Sequence, residues 1–248
     1  MAGDRILRVN PARHPAPAEN AGGFAVRRLA RSRRPRYRGG PLRTAWAAAS
    51  GLHLPVIDAM ELPNVTISLP DWVPAAVDLD AAYGSDEARM RVAVELSLQN
   101  VLHGTGGPFG AAVFERGSGR IVGVGVNSVV RLNNCTLHGE IVAFMQAQAR
   151  LGSFSLRAPG GPEHELVTSC EPCAMCLGAT LWSGVTRLVC GAHRDDARRL
   201  NFEEGPVFPA SYEYLQERGI EVVHGVLRDE ANAVLELYRA RKGTIYNG

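Results

Sequence analysis

Two short stretches restrict what this chain can fold into more than any other feature: His138-Gly139-Glu140 and Pro172-Cys173-Ala174-Met175-Cys176. Cysteines at i and i+3 on the opening turn of a helix face the same side, so a single metal ion can reach both sulfurs. A helix N-terminus carries unpaired N–H groups and a partial positive charge, which favour thiolate over thiol. Pro172 suits such a start because its missing N–H would have been unpaired there anyway. Alone, this Cys-x-x-Cys reads equally as a metal site, a redox pair or an incidental core pair. His138 alters that balance. It stands 35 residues before Cys173, at the predicted start of another helix. A strand-and-loop crossover of that length brings two helix starts to one sheet edge. One imidazole and two thiolates make a three-ligand zinc set, His138, Cys173 and Cys176, whose fourth position stays open to water. Cys135, Cys170 and Cys190 take strand or loop positions with ordinary explanations, Cys170 packing in the core.

Glu140 lies two residues after the histidine. Two thiolates cancel the formal charge of zinc, so the metal acidifies its water less than an all-histidine site would. A nearby carboxylate that accepts the proton and returns it to a leaving group then becomes chemically useful. The competing reading is an acid in the first turn of a helix, worth about 0.3–1 kcal/mol through the helix dipole. Beside the triad, the catalytic reading is the stronger.

The chain has 248 residues, room for one large domain or a medium domain with an appendage. Its apolar content of 46% with 21% charged residues excludes a wholly disordered or collagen-like chain. No run approaches the roughly 18 apolar residues of a membrane span. Five cysteines, an odd number, argue for reduced thiols or a metal rather than a disulfide framework, and so for the cytoplasm. The net charge of +2 conceals a split. Residues 1–59 carry eleven Arg against three acids, a net of +8, and residues 60–248 carry sixteen basic against twenty-two acidic residues, a net of −6. The first stretch is also rich in proline and glycine and has no sustained apolar periodicity, the composition of a disordered extension. Three readings compete for it: a disordered tail, with Met60 as the start of the folded part; an export or transit signal; and an arm touching phosphates. Residues 60–248 form the domain that carries the chemistry.

From Leu62 onward the pattern is that of a folded α/β domain. Ser85 opens a predicted helix over 85–102, with Asp86 and Glu87 in its first turn. Apolar runs at 111–114 and 121–126 flank Gly117-Ser118-Gly119 and predict a hairpin. A second helix is expected over 137–151 with Thr136 as its N-cap, and a third over 172–183 between strands at 166–168 and 188–190. A strand at 220–223 precedes a final helix over 229–241. This alternation predicts a layered sheet with helices on both faces.

His-x-Glu followed by Pro-Cys-x-x-Cys resembles the signature of the zinc-dependent nucleobase and nucleoside deaminases, whose fold is that of cytidine deaminase. Gly107-Pro108-Phe109-Gly110-Ala111, Asn127, the run from Thr168 to Cys173, and Met175-Cys176-Leu177-Gly178-Ala179 are similar to the branch that holds bacterial guanine deaminases and tRNA adenosine deaminases. The resemblance implies a three-layer α/β/α sandwich with a five-stranded mixed sheet, a homodimer and a Zn2+ cofactor. It implies hydrolytic deamination in which an activated water attacks the amine-bearing ring carbon and Glu140 moves the proton. Asn127 would hold the ring by its side-chain amide, against a turn-forming reading, and Phe109 would shape the pocket, against a reading as a turn residue over the core.

For the substrate, the run from Ala192 to Ala197, with Asn201-Phe202-Glu203-Glu204, resembles the guanine deaminase segment that places an aspartate in the pocket, at the position of Asp196. A carboxylate only accepts hydrogen bonds. Guanine offers N–H donors beside its reacting carbon, whereas adenine presents a bare ring nitrogen there. The competing reading makes Asp195 and Asp196 solvated loop acids. The net of −6 on residues 60–248 argues against a grip on tRNA and for a small-molecule nucleobase or nucleoside. The expected reaction is guanine to xanthine plus ammonia. Adenosine in tRNA, cytosine and other amino-heterocycles stand as alternatives, with a structural zinc scaffold as the non-enzymatic one. Gly139 and Asn134-Cys135-Thr136-Leu137 depart from the usual family residues at the pocket mouth. An aromatic from the C-terminal segment closes the site in guanine deaminases, and Tyr246 is the candidate here, ahead of Tyr238.

Overall fold

The computed structural model describes residues 62–247; the expectations for residues 1–59 and for a start at Met60 lie outside the described residues. The elements run α1 (Val73–Ala76), α2 (Asp86–Leu102), β1 (Gly110–Glu115), β2 (Ile121–Val126), α3 (Val129–Leu132), α4 (Gly139–Leu151), β3 (His164–Cys170), α5 (Ala174–Ser183), β4 (Arg187–Ala192), α6 (Arg194–Arg198), α7 (Pro209–Glu217), β5 (Glu221–Val223) and α8 (Arg228–Ala240). The strands form one five-stranded sheet in the order β2-β1-β3-β4-β5. β1 pairs antiparallel with β2 and β3, and β3-β4-β5 run parallel. This is the mixed sheet expected.

Alternation along the strands builds two cores. Ala112, Phe114, Val124, Val126, Val167 and Val189 pack with α2 and α8 on one face. Ala111, Val113, Val122, Leu166, Leu188 and Cys190 pack with α4, α5 and α7 on the other. β1, β3 and β4 are buried along nearly their whole length, as strands covered on both faces are, with β3 also burying His164, Glu165, Thr168 and Ser169. The result is a three-layer α/β/α sandwich.

The glycines of β2 set how closely α4 approaches. A Cβ on Gly125 would lie 2.1 Å from the Gly139 carbonyl oxygen and 2.4 Å from the Ala143 nitrogen. The start of α4 is thereby pressed onto the sheet, which fixes the position of His138. α2 begins as expected, with the Ser85 hydroxyl accepting from Ala88 N at 3.2 Å. The α4 boundary differs from expectation: its N-cap is His138, not Thr136. The Thr136 hydroxyl instead donates to Asn134 Oδ1 at 2.7 Å within the preceding turn. In α5 the N-cap is Cys173 and the first helical residue is Ala174. No helix among the described residues is long and apolar enough to cross a membrane.

Candidate zinc centre and its cavity

Two parallel features of the chain converge at one edge of the sheet. β3 ends at Cys170, and Glu171-Pro172 leads straight into the N-cap of α5. The loop after β2 leads into the N-cap of α4. His138 and Cys173 are therefore both N-cap residues, with Cys176 on the first turn of α5 and Glu140 on the first turn of α4. Cys173 Sγ lies 3.4 Å from His138 Nδ1. The three ligand atoms of His138, Cys173 and Cys176 all lie within 4.8 Å of one another, the only such group of three among the described residues. With Zn–S about 2.3 Å and Zn–N about 2.0 Å, a tetrahedral ion holds its sulfur and nitrogen ligands about 3.5 Å apart. Spacing and donor chemistry both fit zinc.

The electrostatics suit an ion as well. Cys173 is pulled down to about 4, first by a hydrogen bond from the Cys176 thiol and then, against burial, by His138. Burial works to lower the pKa of His138, yet the hydrogen bond and charge of Cys173 raise it overall. Cys170, buried at the end of β3, directs its thiol to the His193 carbonyl at 3.8 Å. Among the described residues no fourth His, Cys, Asp or Glu joins this group.

Beside the triad is a cavity of about 180 Å³ whose lining includes Phe109, Cys135, His138, Glu140, Cys173, Phe202, Glu204 and Tyr246. Larger hollows elsewhere, such as the one of about 760 Å³ between α2 and α8, contain none of these ligands. Glu140 is 6% exposed and raised to about 7, by burial first and then by the negative charge on Cys173. Phe109 meets Phe202 edge-on with ring centroids 5.0 Å apart. The Tyr246 ring lies 5.2 Å from Phe202 and edge-on to His138 at 6.5 Å. Its hydroxyl rests on Gly107, where a Cβ would come within 2.1 Å of it. The tail carrying Tyr246 is laced down. Asn247 Oδ1 accepts from Glu203 N at 2.9 Å, and Asn247 Nδ2 donates to the Asn201 carbonyl at 2.6 Å. Tyr238 belongs to the core beside α2 and does not line this cavity.

Asn127 is fully buried at the end of β2 and does not itself reach the cavity wall. Its Oδ1 accepts from Val129 N at 3.3 Å, while its Nδ2 has no partner. The Tyr246 hydroxyl is buried without a hydrogen-bond partner too. Burial pushes that hydroxyl well above its ordinary range, and the nearby Asn127 side chain pulls slightly the other way.

Asp196 requires a correction. It is 1% exposed, but it is absent from the cavity wall. Its carboxylate caps α6 by accepting from His193 N at 2.9 Å, and it is gripped by Arg228 at 3.0 Å to both oxygens and by Arg199. With every lone pair committed, it has nothing left for a ligand. Besides Glu140, the cavity is lined by Glu171, which is paired with His224 at 2.7 Å, by the exposed Glu203, and by Glu204, a buried acid that sequence reasoning passed over. Glu204 is 7% exposed, has no ion pair among the described residues, and is raised to about 8 by burial, then by Cys173 and Glu140. The signal was its place two residues after Phe202, the aromatic that walls the cavity with Phe109. In an irregular loop no periodicity tells which of Glu203 and Glu204 turns inward.

Residues 84–192 match the family described as the cytidine and deoxycytidylate deaminase zinc-binding region. The guanine deaminase of Bacillus subtilis (strain 168) is 34% identical over 134 residues, which cover 54% of this chain and 81% of that protein. The solved structure of guanine deaminase from Nitrosomonas europaea matches with a TM-score of 0.68 at 44% identity, covering 71% of this chain and 97% of that one. A solved complex with 2,6-diaminopurine matches with a TM-score of 0.69 at 45% identity, covering 74% and 97%.

Proposed function

Because the chain belongs to the cytidine and deoxycytidylate deaminase zinc-binding family and is a zinc-dependent hydrolytic deaminase, we propose that its substrate is free guanine, converted to xanthine and ammonia. The observation that carries the choice of base is Glu204, a buried carboxylate that makes no ion pair among the described residues, on the wall of the same cavity as Glu140. Burial and the charges of Cys173 and Glu140 favour its protonated form, and the positive charge of a bound metal would favour the ionised one, which accepts from the ring N–H beside the reacting carbon of guanine. Adenine presents a lone pair there, a mismatch costing about 1–3 kcal/mol. The argument framed for Asp196 thus passes to Glu204.

His138, Cys173 and Cys176 would hold the metal. Zinc, when bound there, supplies the Lewis acid that makes water a nucleophile near neutral pH. Glu140 takes a proton at its carboxylate and returns it to the departing nitrogen, the acid–base work its place beside the open corner permits. Asn127 holds the ring: its Nδ2 is a buried donor in want of an acceptor, which a ring carbonyl supplies when the Tyr246 hydroxyl turns aside. Phe109 and Phe202, packed edge-on against each other, form one apolar wall for the ring, and Tyr246 closes the mouth.

We assign residues 60–248 as the deaminase domain, acting in the cytoplasm in purine breakdown on a small-molecule nucleobase, their net charge of −6 disfavouring nucleic acid as a partner. A homodimer is supported by α5 and α7, where Trp182 is 78% exposed and Met175 and Tyr214 also face outward. The deciding experiment is ammonia release by the zinc-loaded full chain offered guanine, guanosine, adenine, cytosine, cytidine and an anticodon stem-loop RNA. Guanine is expected to be turned over fastest. Silence on guanine with turnover of the RNA or of cytosine would sink the substrate assignment while leaving the reaction class standing.

A further inference from the structure

Asn100 lies on α2, on the opposite face of the sheet from the zinc helices, and is fully buried. Its Nδ2 donates to two carbonyls, that of Gly107 at 2.8 Å and that of Asn127 at 2.9 Å. Its Oδ1 accepts the Thr105 hydroxyl at 2.7 Å, and that hydroxyl accepts the Trp72 indole N–H at 3.1 Å. A side-chain amide has two donors and one acceptor oxygen, so both donors and the oxygen of Asn100 are engaged. The two carbonyls belong to the loops that carry the ring-facing residues. Gly107 supports the Tyr246 hydroxyl and precedes Phe109, and the Phe109 carbonyl accepts from Asn127 N at 2.9 Å. There is no slack around the joint: a Cβ on Gly106 would stand 2.0 Å from the Asn127 oxygen and 2.7 Å from Asn100 Nδ2.

Resting on the reading of Asn127 as the ring-holding residue, we propose that Asn100 is a positioning residue that fixes the Asn127 backbone and so aims its unpartnered Nδ2 at the substrate. Asn100 touches neither metal ligand nor cavity. Its effect on the reaction therefore runs through Asn127 and the loop bearing Phe109. Thr105, reached by Trp72, sets the rotation of the Asn100 amide.

The test is a double-mutant cycle on the zinc-loaded full chain, combining Asn100→Asp with Asn127→Ala and reading kcat, KM and zinc content for the base that the wild type deaminates best. Asn100→Asp keeps the shape but turns an oxygen toward two carbonyls. Displacement of the Asn127 amide is expected to lower kcat/KM about 10- to 100-fold, chiefly as a raised KM, with zinc content unchanged. In the Asn127→Ala background the same change should cost less than about 3-fold, because nothing remains to be aimed. An equal loss in both backgrounds overturns the assignment and leaves Asn100 a purely structural residue. If Asn100→Asp does not fold, Thr105→Val takes its place: it frees the Asn100 amide to rotate, and a few-fold loss that vanishes with Asn127→Ala is expected. Wild-type protein that ignores guanine refutes the substrate reading, not this one, since the cycle is run on whichever base is turned over.

Discussion

The two ends of β3 hold buried acids in opposite electrical company. Glu165, near the start of the strand, is fully buried and answered by two guanidiniums, Arg89 and, at 2.9 Å, Arg187. Arg187 also forks onto both oxygens of Asp86 at 2.7 Å and reaches Glu221 at 3.0 Å. Past the other end of the strand, Glu140 and Glu204 share a small cavity with Cys173 and have no ion pair among the described residues. Both are pushed upward, to about 7 and about 8. One end satisfies its buried charge internally. The other pairs Glu171 with His224 at 2.7 Å but leaves Glu140 and Glu204 without an ion pair, for metal and substrate to complete. Buried acids without partners cost stability, so their survival at the zinc end marks the place where stability yields to chemistry.

The largest break in that contrast comes from Glu140→Gln. The amide keeps the size of the side chain but cannot take and return a proton. Turnover should fall by about 10²–10⁴-fold with zinc content retained, as measured by ammonia release beside metal analysis of the same sample. Because a buried, uncompensated acid is removed, the melting temperature should hold or rise. An unimpaired rate would strip Glu140 of its role.

The paired end should respond in the opposite currency. Arg187→Met leaves Glu165 with one cation and Asp86 with none. Breaking a buried pair of this kind costs about 3–5 kcal/mol, a fall of roughly 6–20 °C in melting temperature for a domain of this size. Calorimetry of the zinc-loaded protein reads it. At temperatures where the variant stays folded, kcat/KM should match the wild type. A catalytic defect with unchanged melting would dissolve the division of labour between the two ends.

Most of both ends can be traced back to residues, though not equally. The zinc set is legible because its chemistry needs particular residue types at particular spacings: Cys173 and Cys176 one turn apart, His138 at a second helix start, Glu140 beside it. The main strands and helices follow from apolar runs and start signals such as Ser85. α7 was not foreseen, because Tyr212 and Leu215 alone carry its inward face and nine residues show little period. The exchange of Asp196 for Glu204 has a similar cause. Asp196 lies in a five-residue helix and Glu204 in a loop, both too short to carry a period, and only the arrival of Arg228 from α8, 32 residues later, decides that Asp196 is consumed by a cap and two arginines. Asn100 was invisible for the same reason, since its partners come from loops that only the folded sheet brings together.

The finest distinction between the two ends concerns how each meets acid. Asp86 is held below the ordinary aspartate range by its hydrogen bond from Arg187, with burial working against that. A group depressed in the folded state contributes stability above its unfolded pKa, near 4, and loses that contribution as pH falls through the folded value. Asp86→Asn should therefore lower the melting temperature at pH 7 by about 2–4 °C, corresponding to about 1 kcal/mol for a partly exposed pair. The gap from wild type should close as pH drops below about 4. Zinc is itself lost in acid as its ligands protonate, but comparing both proteins at each pH cancels that loss. A gap that persists undiminished at pH 3 would mean that Asp86 acts by shape and not by charge, and the paired end would then owe less to its ions than its geometry implies.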